Sequence, residues 1–156
     1  MDEAKVVVSR LTARNRTLAT AESCTGGLLG KLITDVPGAS AVYLGGVISY
    51  AYAVKTALLG VDAALLEEKG AVCEEVAVQM AEGVRSLLHA DFALAATGNA
   101  GPRADPKNPN VGEIYIACAT DDQTLCRRLT LCGGREENRR ETCLEALRLL
   151  EEACRG

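Results

Sequence analysis

Apolar residues along the chain follow two spacings, one typical of helices and one typical of buried strands. Near the start, Ala4, Val7, Val8 and Leu11 repeat at helical spacing, and the apolar run 17–21 that follows suits a buried strand. The same alternation continues to the end of the chain. It predicts helices at about 4–13, 26–36, 53–59, 63–69, 74–88 and 136–153, and strands at about 17–21, 44–50, 92–97, 111–120 and 124–131.

Helices alternate with strands through the first two thirds of the sequence, which calls for right-handed crossovers and a parallel sheet. The strands 111–120 and 124–131 are separated only by the turn 121–123, so they pair as a hairpin that places one antiparallel strand near an edge. We therefore expect an α/β fold, a three-layer α/β/α sandwich with a mostly parallel sheet. A chain of 156 residues that is 48% hydrophobic fits a single domain over 1–156.

Composition narrows the classes of partner. The 17 basic and 21 acidic residues give a net charge of -4, which provides no broad positive surface for nucleic acid. The N-terminus lacks a signal-peptide pattern, and no apolar run approaches the roughly 20 residues of a membrane span. We expect a cytoplasmic protein with no nucleic-acid or membrane partner.

The seven cysteines include no CxxC pair, and His89 is the only histidine. Zinc-type ligand spacing is therefore absent, and the sequence predicts no metal site. An odd number of scattered cysteines favours buried thiols in a reducing compartment over a disulfide framework.

Three unusual segments follow the first three predicted strands: 22–27, 50–55 and 98–102. In open α/β sheets, ligands bind where the carboxyl ends of the strands meet loops and helix N-termini. The shared position of these segments predicts a binding or active site at that edge of the sheet.

The first segment offers a nucleophile. Ser23 lies where a strand turns into a helix, and Gly26 and Gly27 allow close approach of the backbone to a ligand. Their N–H groups suit an oxyanion hole or a phosphate. The alternative is that Ser23 or Thr25 only caps the following helix, as serine and threonine commonly do.

A serine nucleophile needs a base. His89 ends a long predicted helix just before a strand, at the wrong edge of the sheet, which leaves Lys55. A lysine acts as a base only when it is neutral, and burial lowers its pKa. The alternative is a solvated surface lysine.

Two further readings remain open. Cys24, at the same turn, is a competing nucleophile or a buried structural cysteine. Three arginines near the start of the last helix, Arg135, Arg139 and Arg140, suit a phosphate or belong to a solvated face.

Five segments together resemble the C-terminal domain of the CinA (competence/damage-inducible) family. They are TAESCTGGLLGKLITDVPGAS, GGVISYAYAVKTALLGV, KGAV, TGNAGP and VGEIYIA, followed by the Arg135 region. The stand-alone form of that domain resembles the bacterial nicotinamide-nucleotide amidase. The resemblance implies hydrolysis of the carboxamide of nicotinamide mononucleotide to nicotinate mononucleotide and ammonia, in pyridine-nucleotide recycling. It also implies a mixed five-stranded sheet, a homo-oligomer, and no cofactor or metal.

The resemblance carries the nucleophile to Ser23 and the base to Lys55. We further expect Tyr50 to orient Lys55, and Glu22 to lie near the pyridinium charge of the substrate. We expect the backbone around Thr25, Gly26 and Gly27 to stabilise the oxyanion. We expect Arg135 and the loop that contains Thr97, Gly98 and Gly101 to bind the phosphate.

Four positions depart from the family pattern. Ala51 and Tyr52 replace a Ser-Asn pair, Asn99 replaces an apolar residue, and Gly134 replaces an aspartate. These departures leave a second hypothesis open, a nucleotide-binding or partner-interaction domain without turnover, associated with competence or the DNA damage response.

Overall fold

The fold is built from alternating helices and strands. A computed structural model describes residues 2–155 and contains six α-helices and five strands within them. The helices are α1 (Glu3–Arg14), α2 (Leu28–Thr34), α3 (Tyr52–Leu59), α4 (Ala63–Lys69), α5 (Glu74–Leu88) and α6 (Arg135–Arg155). The strands are β1 (Leu18–Glu22), β2 (Tyr43–Ile48), β3 (Phe92–Gly98), β4 (Glu113–Ala119) and β5 (Thr124–Thr130).

The five strands form one sheet in the order β2-β1-β3-β4-β5. β1 pairs in parallel with β2 and with β3, whereas β4 is antiparallel to both β3 and β5. The expected mixed sheet and its C-terminal hairpin are thus confirmed. In this register Glu22 lies opposite Ile48 on one side and Ala96 on the other, so β1 and β2 end at the same level and β3 continues two residues further, to Gly98.

Apolar side chains cover both faces of the sheet. One cluster joins α1, α2 and α6 to the sheet through residues such as Leu11, Ile33 and Leu147, and the other joins α5 through residues such as Met80. β1 is buried at all five positions because it lies between two neighbours and between two helical layers. The predicted three-layer α/β/α arrangement is therefore correct.

β2 ends earlier than expected, at Ile48 rather than at residue 50. As an edge strand it alternates half-buried and exposed positions. Its early end frees Ser49 and Tyr50 to turn toward α3, and their carbonyl groups face the site described below.

The structure also describes the state of the cysteines and the character of the helices. All seven cysteines are free thiols, four of them buried: Cys24, Cys118, Cys143 and Cys154. Among residues 2–155, no helix combines the length and the apolar character needed to cross a membrane.

Candidate active site

The carboxyl ends of β1, β2 and β3 surround a pocket of about 260 Å³. Six of the predicted site residues line it: Ser23, Tyr50, Lys55, Thr97, Gly98 and Arg135. The other five do not: Glu22, Thr25, Gly26, Gly27 and Gly101. The parallel pairing of β1 with both neighbours brings the three segments together, as the sequence predicts.

Ser23 and Lys55 are in hydrogen-bonding contact at the base of this pocket. Lys55 Nζ lies 2.8 Å from Ser23 Oγ, 2.6 Å from the carbonyl oxygen of Ser49 and 3.2 Å from that of Tyr50. Lys55 is fully buried, and Ser23 is 8% exposed. The interpretation of Lys55 as a solvated surface lysine is therefore wrong.

Burial lowers the pKa of Lys55 to about 8, while the nearby Cys24 and Asp105 oppose that shift. Removal from water disfavours the charged ammonium, and no carboxylate forms an ion pair with it among the described residues. About a tenth of the amine is then neutral at pH 7, against roughly one part in 3,000 for an ordinary lysine.

Glu22 caps α2 and is turned away from the pocket. Its Oε1 accepts hydrogen bonds from the N–H groups of Gly27 and Leu29, and its Oε2 accepts one from Gly30. A carboxylate at a helix N-terminus satisfies donors that have no partner within the helix. The expectation that Glu22 lies near the substrate's ring is thus corrected, and so is the reading of Ser23 or Thr25 as the cap.

The backbone donors available at the turn differ from those expected. The N–H of Gly26 donates to the Ser23 carbonyl, and that of Gly27 donates to Glu22. The N–H groups of Cys24 and Thr25, by contrast, have no acceptor within residues 2–155. The two glycines serve the turn through their positive φ angles of 57° and 104°, which other residues rarely adopt.

The side chain of Thr25 is also unpaired: its Oγ1 is buried and finds no hydrogen-bond partner among the described residues. A buried hydroxyl without a partner is uncommon in folded proteins.

Cys24 is a poor nucleophile at this turn, because burial raises the pKa of its thiol to about 12. Its carbonyl and that of Thr25 accept hydrogen bonds from Arg139 Nε and Nη2, at 3.0 and 2.8 Å. Arg139 therefore braces the Ser23 turn from α6, whereas Arg140 is exposed. The suggestion that these two arginines bind phosphate is replaced by a structural role for the first.

Tyr50 contacts Lys55 through its carbonyl oxygen rather than through its ring. Its phenol is exposed at the pocket mouth and accepts a 3.3 Å hydrogen bond from Arg135 Nη2. Arg135 Nη1 donates to the carbonyl of Gly101, so Gly101 acts by holding Arg135. Tyr50 and Arg135 together form one rim of the pocket.

Thr97 and Gly98 shape the wall formed by β3. Thr97 Oγ1 donates to the Ala71 carbonyl at 2.9 Å and fixes the segment before α5. A Cβ atom at Gly98 would lie 2.5 Å from Ile114 Cγ1, so close packing against β4 requires glycine there. Both residues line the pocket while making contacts within the protein.

Sequence reasoning missed several residues of this site. Arg103 and Asp105, from the loop after β3, line the pocket. Asn138 Nδ2 donates to the carbonyl of Ala100 at 3.1 Å and ties the same loop to α6. A loop whose Asn and Asp residues bond to its own backbone leaves only a weak pattern in sequence, namely its richness in such residues.

A second, larger groove of about 820 Å³ lies beside the pocket. It is lined mainly by apolar groups of α3 and α4, and Tyr52 borders both cavities. The groove contains neither Ser23 nor Lys55, both of which line the smaller pocket. Within residues 2–155, no cluster of three or more His, Cys, Asp or Glu side chains is placed to hold a metal ion.

The sequence is similar to known proteins along almost its whole length. The family model described as the CinA C-terminal domain matches residues 2–154. A CinA-like protein of Geotalea uraniireducens is 48% identical over 142 residues, which cover 91% of this chain and 34% of that protein. A CinA-like protein of Frankia casuarinae is 47% identical over 151 residues, covering 97% of this chain and 35% of that protein. The chain thus spans about a third of the length of these relatives.

Solved structures show the same fold. The competence/damage inducible protein CihA from Agrobacterium tumefaciens superposes with a TM-score of 0.93 at 34% identity, covering 99% of this chain and 94% of that one. A competence-damaged protein (CinA) superfamily protein from Escherichia coli gives a TM-score of 0.93 at 28% identity, covering 97% of this chain and 88% of that one.

Proposed function

This chain belongs to the CinA C-terminal domain family, and we propose that it is an amidohydrolase acting through Ser23 and Lys55. The proposed substrate is nicotinamide mononucleotide, and the products are nicotinate mononucleotide and ammonia. The main support is the contact between Lys55 Nζ and Ser23 Oγ at the floor of an open pocket. The proposed activity uses no cofactor, and an assembly of several copies of the chain remains a prediction.

The neighbours of Lys55 can also accommodate its neutral form, which burial makes accessible by lowering the pKa of the amine to about 8. A neutral amine has two N–H groups and one lone pair. The carbonyl oxygens of Ser49 and Tyr50 can only accept hydrogen bonds, and they engage the two N–H groups. Nζ donates to Ser23 Oγ when the amine is charged, and in the neutral amine the lone pair takes that place and can accept the Ser23 proton. This is the arrangement that a lysine base requires.

The proposed reaction begins when Ser23 Oγ attacks the carboxamide carbon and its proton passes to Lys55 Nζ. The negative charge that develops on the carboxamide oxygen is stabilised by the unpaired N–H groups of Cys24 and Thr25. In acyl-transfer enzymes with a similar strand-to-helix turn, the residue after the nucleophile commonly supplies one of these donors. Cys24 occupies that position here.

The tetrahedral intermediate then breaks down. The Lys55 ammonium returns its proton to the leaving nitrogen, the C–N bond breaks, and ammonia departs, leaving an ester on Ser23. A water molecule attacks the ester carbon, Lys55 takes a proton from it, and that proton returns to Ser23 Oγ. The net reaction consumes one water, converts the amide to ammonia and a carboxylic acid that then ionises to the carboxylate, and restores both side chains.

The pocket rim supplies positive charge for a phosphate. Arg103 and Arg135 both line the pocket and both are exposed. Arg103 makes no ion pair or hydrogen bond within residues 2–155, which leaves its donors available. Guanidinium groups bind phosphate through paired N–H donors, so these residues suit the 5′-phosphate of a mononucleotide.

The deciding assay follows ammonia release from nicotinamide mononucleotide. We expect Ser23→Ala and Lys55→Met to lower kcat by at least about 1,000-fold, because each removes one half of the acting pair. Cys24→Ala is the matched control and keeps activity within about threefold of wild type, since its buried thiol takes no part in the reaction. Loss of activity in Cys24→Ala with retention in Ser23→Ala contradicts the proposal.

The alternative function is a nucleotide-binding or interaction domain without turnover. It predicts that the wild-type protein binds nicotinamide mononucleotide and releases no ammonia. The same assay, combined with calorimetric titration of the nucleotide, distinguishes the two functions.

A further inference from the structure

Asp105 is the only carboxylate that lines the pocket among the residues the structure describes. The other charged residues of the lining are Lys55, Arg103 and Arg135, all of them basic. Asp105 belongs to the loop between β3 and β4, and it is half-buried. The pocket lining therefore has one acidic and three basic side chains. Such a lining suits a ligand that carries charges of both signs.

The position of the carboxylate is fixed by neighbouring donors. Oδ1 accepts a 2.9 Å hydrogen bond from the N–H of Lys107, and Oδ2 accepts one of 3.3 Å from the N–H of Ala71. Oδ2 also accepts a hydrogen bond from the hydroxyl of Tyr52. The backbone N–H of Asp105 donates to Asn99 Oδ1 at 2.8 Å.

Close packing against Gly70 also fixes the position of the Asp105 carboxylate. A Cβ atom at Gly70 would lie only 2.3 Å from Asp105 Oδ1. Gly70 has a φ of 75°, so both the space and the backbone conformation require glycine. The segment before α5 is thus shaped to accept this carboxylate.

None of these partners neutralises the charge. The three donors are two backbone N–H groups and a phenol, and Asp105 forms no ion pair among residues 2–155. Burial, together with the hydrogen bond to Asp105 and its charge, raises the pKa of Tyr52 to about 12, so Tyr52 remains a neutral donor. The carboxylate therefore lines the pocket without an ion-pair partner among the described residues.

We propose that Asp105 is a specificity-determining residue that selects amides carried on a cationic ring, such as an N-substituted pyridinium, over amides carried on a neutral ring. This inference rests on the proposed function, because it concerns the substrate of the same pocket. A fixed, unpaired carboxylate in a partly desolvated site attracts a cation more strongly than it would in water. With arginines at the rim, the pocket then matches a molecule that has a cationic ring at one end and a phosphate at the other.

The experiment compares two ligands of nearly the same shape. Oxidised nicotinamide mononucleotide has a cationic ring, and its 1,4-dihydro form has a neutral one. Calorimetric titration uses the Ser23→Ala protein, so that neither ligand is consumed. We expect this protein to bind the cationic ligand at least about tenfold more tightly, and we expect Asp105→Asn in the same background to reduce that ratio to about threefold or less.

Tyr52→Phe is the matched control. It removes the hydrogen bond to Asp105 and leaves the carboxylate, so the ratio of the two dissociation constants stays at least tenfold. If Asp105 has only a structural role, Asp105→Asn weakens the binding of both ligands equally and leaves the ratio of their dissociation constants unchanged. That result overturns the inference, as does equal loss of the ratio in Tyr52→Phe or failure of the Ser23→Ala protein to bind either ligand.

The outcome is separable from that of the proposed function. If the wild-type protein releases no ammonia and yet the ratio of dissociation constants falls in Asp105→Asn, the amidase proposal fails and the assignment of Asp105 stands. If ammonia is released and the ratio does not depend on Asp105, the amidase proposal stands and the assignment fails.

Discussion

Lys55 Nζ lies 2.8 Å from Ser23 Oγ, although the two residues are separated by 32 positions in sequence. Parallel pairing of β1 and β2 places Ser23 after one strand and Lys55 in the helix after the other. The amine is fully buried and meets two carbonyl oxygens and one hydroxyl. The roles of Lys55 and of the residues around it can therefore be tested by substitution and by changes in pH.

The first concerns the pH dependence of the rate. Only neutral Lys55 can accept the serine proton, and burial lowers its pKa to about 8. We expect kcat to rise about tenfold per pH unit below that value and to level off above it. Ammonia release measured from about pH 6 to about pH 9.5 checks this. In Asp105→Asn the midpoint moves to lower pH, because Asp105 favours the charged amine. A flat profile across this range contradicts the role of Lys55 as base.

The same shift makes stability depend on pH. The unfolded chain has an ordinary lysine pKa of 10.5 and binds more protons than the folded chain between about pH 8 and 10.5. The free energy of unfolding of wild type relative to Lys55→Met therefore rises across this interval, by up to about 3 kcal/mol. Urea denaturation of both proteins at a series of pH values measures it. Parallel curves for the two proteins refute a depressed pKa.

Glu22 gives a test of the cap on α2. In Glu22→Gln one oxygen is replaced by an NH₂ group that cannot accept, so at least one of the three N–H groups, which are buried or partly buried, loses its partner. We expect a loss of about 1–3 kcal/mol in the free energy of unfolding. The control is Asp62→Asn, at the exposed cap of α4, which should cost about 0.5 kcal/mol or less because asparagine caps almost as well. Equal effects of the two changes would show that burial of the cap is unimportant.

Arg139 and Arg140 form a natural pair of test and control. Arg139→Met removes the two donors that hold the carbonyls of Cys24 and Thr25, so the Ser23 turn loses its brace. We expect kcat to fall by about tenfold or more with a smaller change in KM, since positioning affects chemistry more than binding. The exposed Arg140 makes no hydrogen bond or ion pair within residues 2–155, and Arg140→Met should behave as wild type. Similar kinetics for both variants contradict the bracing role.

Arg135 tests the phosphate end of the pocket. Arg135→Met should raise KM for nicotinamide mononucleotide about tenfold and leave KM for the riboside, which lacks the phosphate, nearly unchanged. Arg128→Met, on the exposed face of β5, is the control and alters neither. A tenfold rise for both substrates means that Arg135 supports the pocket without contacting phosphate.

Much of the fold was predictable because each element has a local signal. The apolar spacing of 74–88 and the alternating strands gave the element types, and the short turn 121–123 gave the antiparallel hairpin. The end of β2 was placed two residues too late. Edge strands have a partner on one side only, so hydrophobicity alone does not show where pairing stops.

The site was predictable only in part. The carboxyl ends of the strands were correctly expected to meet, and Ser23 and Lys55 are in contact there, as predicted for neighbouring strands. Glu22 was misplaced because a carboxylate after a strand suits a ligand as well as it suits a helix cap, and only the direction of its side chain distinguishes the two. Asp105 was missed because Tyr52 and Ala71, which donate hydrogen bonds to its carboxylate, lie far from it in the chain.

By itself, the sequence determined the order of helices and strands, the family to which the chain belongs and the position of the turn that contains Ser23. Those properties depend on local spacing and on a motif of consecutive residues. Only the tertiary structure decided that Lys55 is buried against Ser23, that Glu22 serves the helix, and that Asp105 lines the pocket and forms no ion pair among the described residues. Burial and charge pairing depend on distances between residues remote in sequence, and those distances are fixed only when strands and loops pack together.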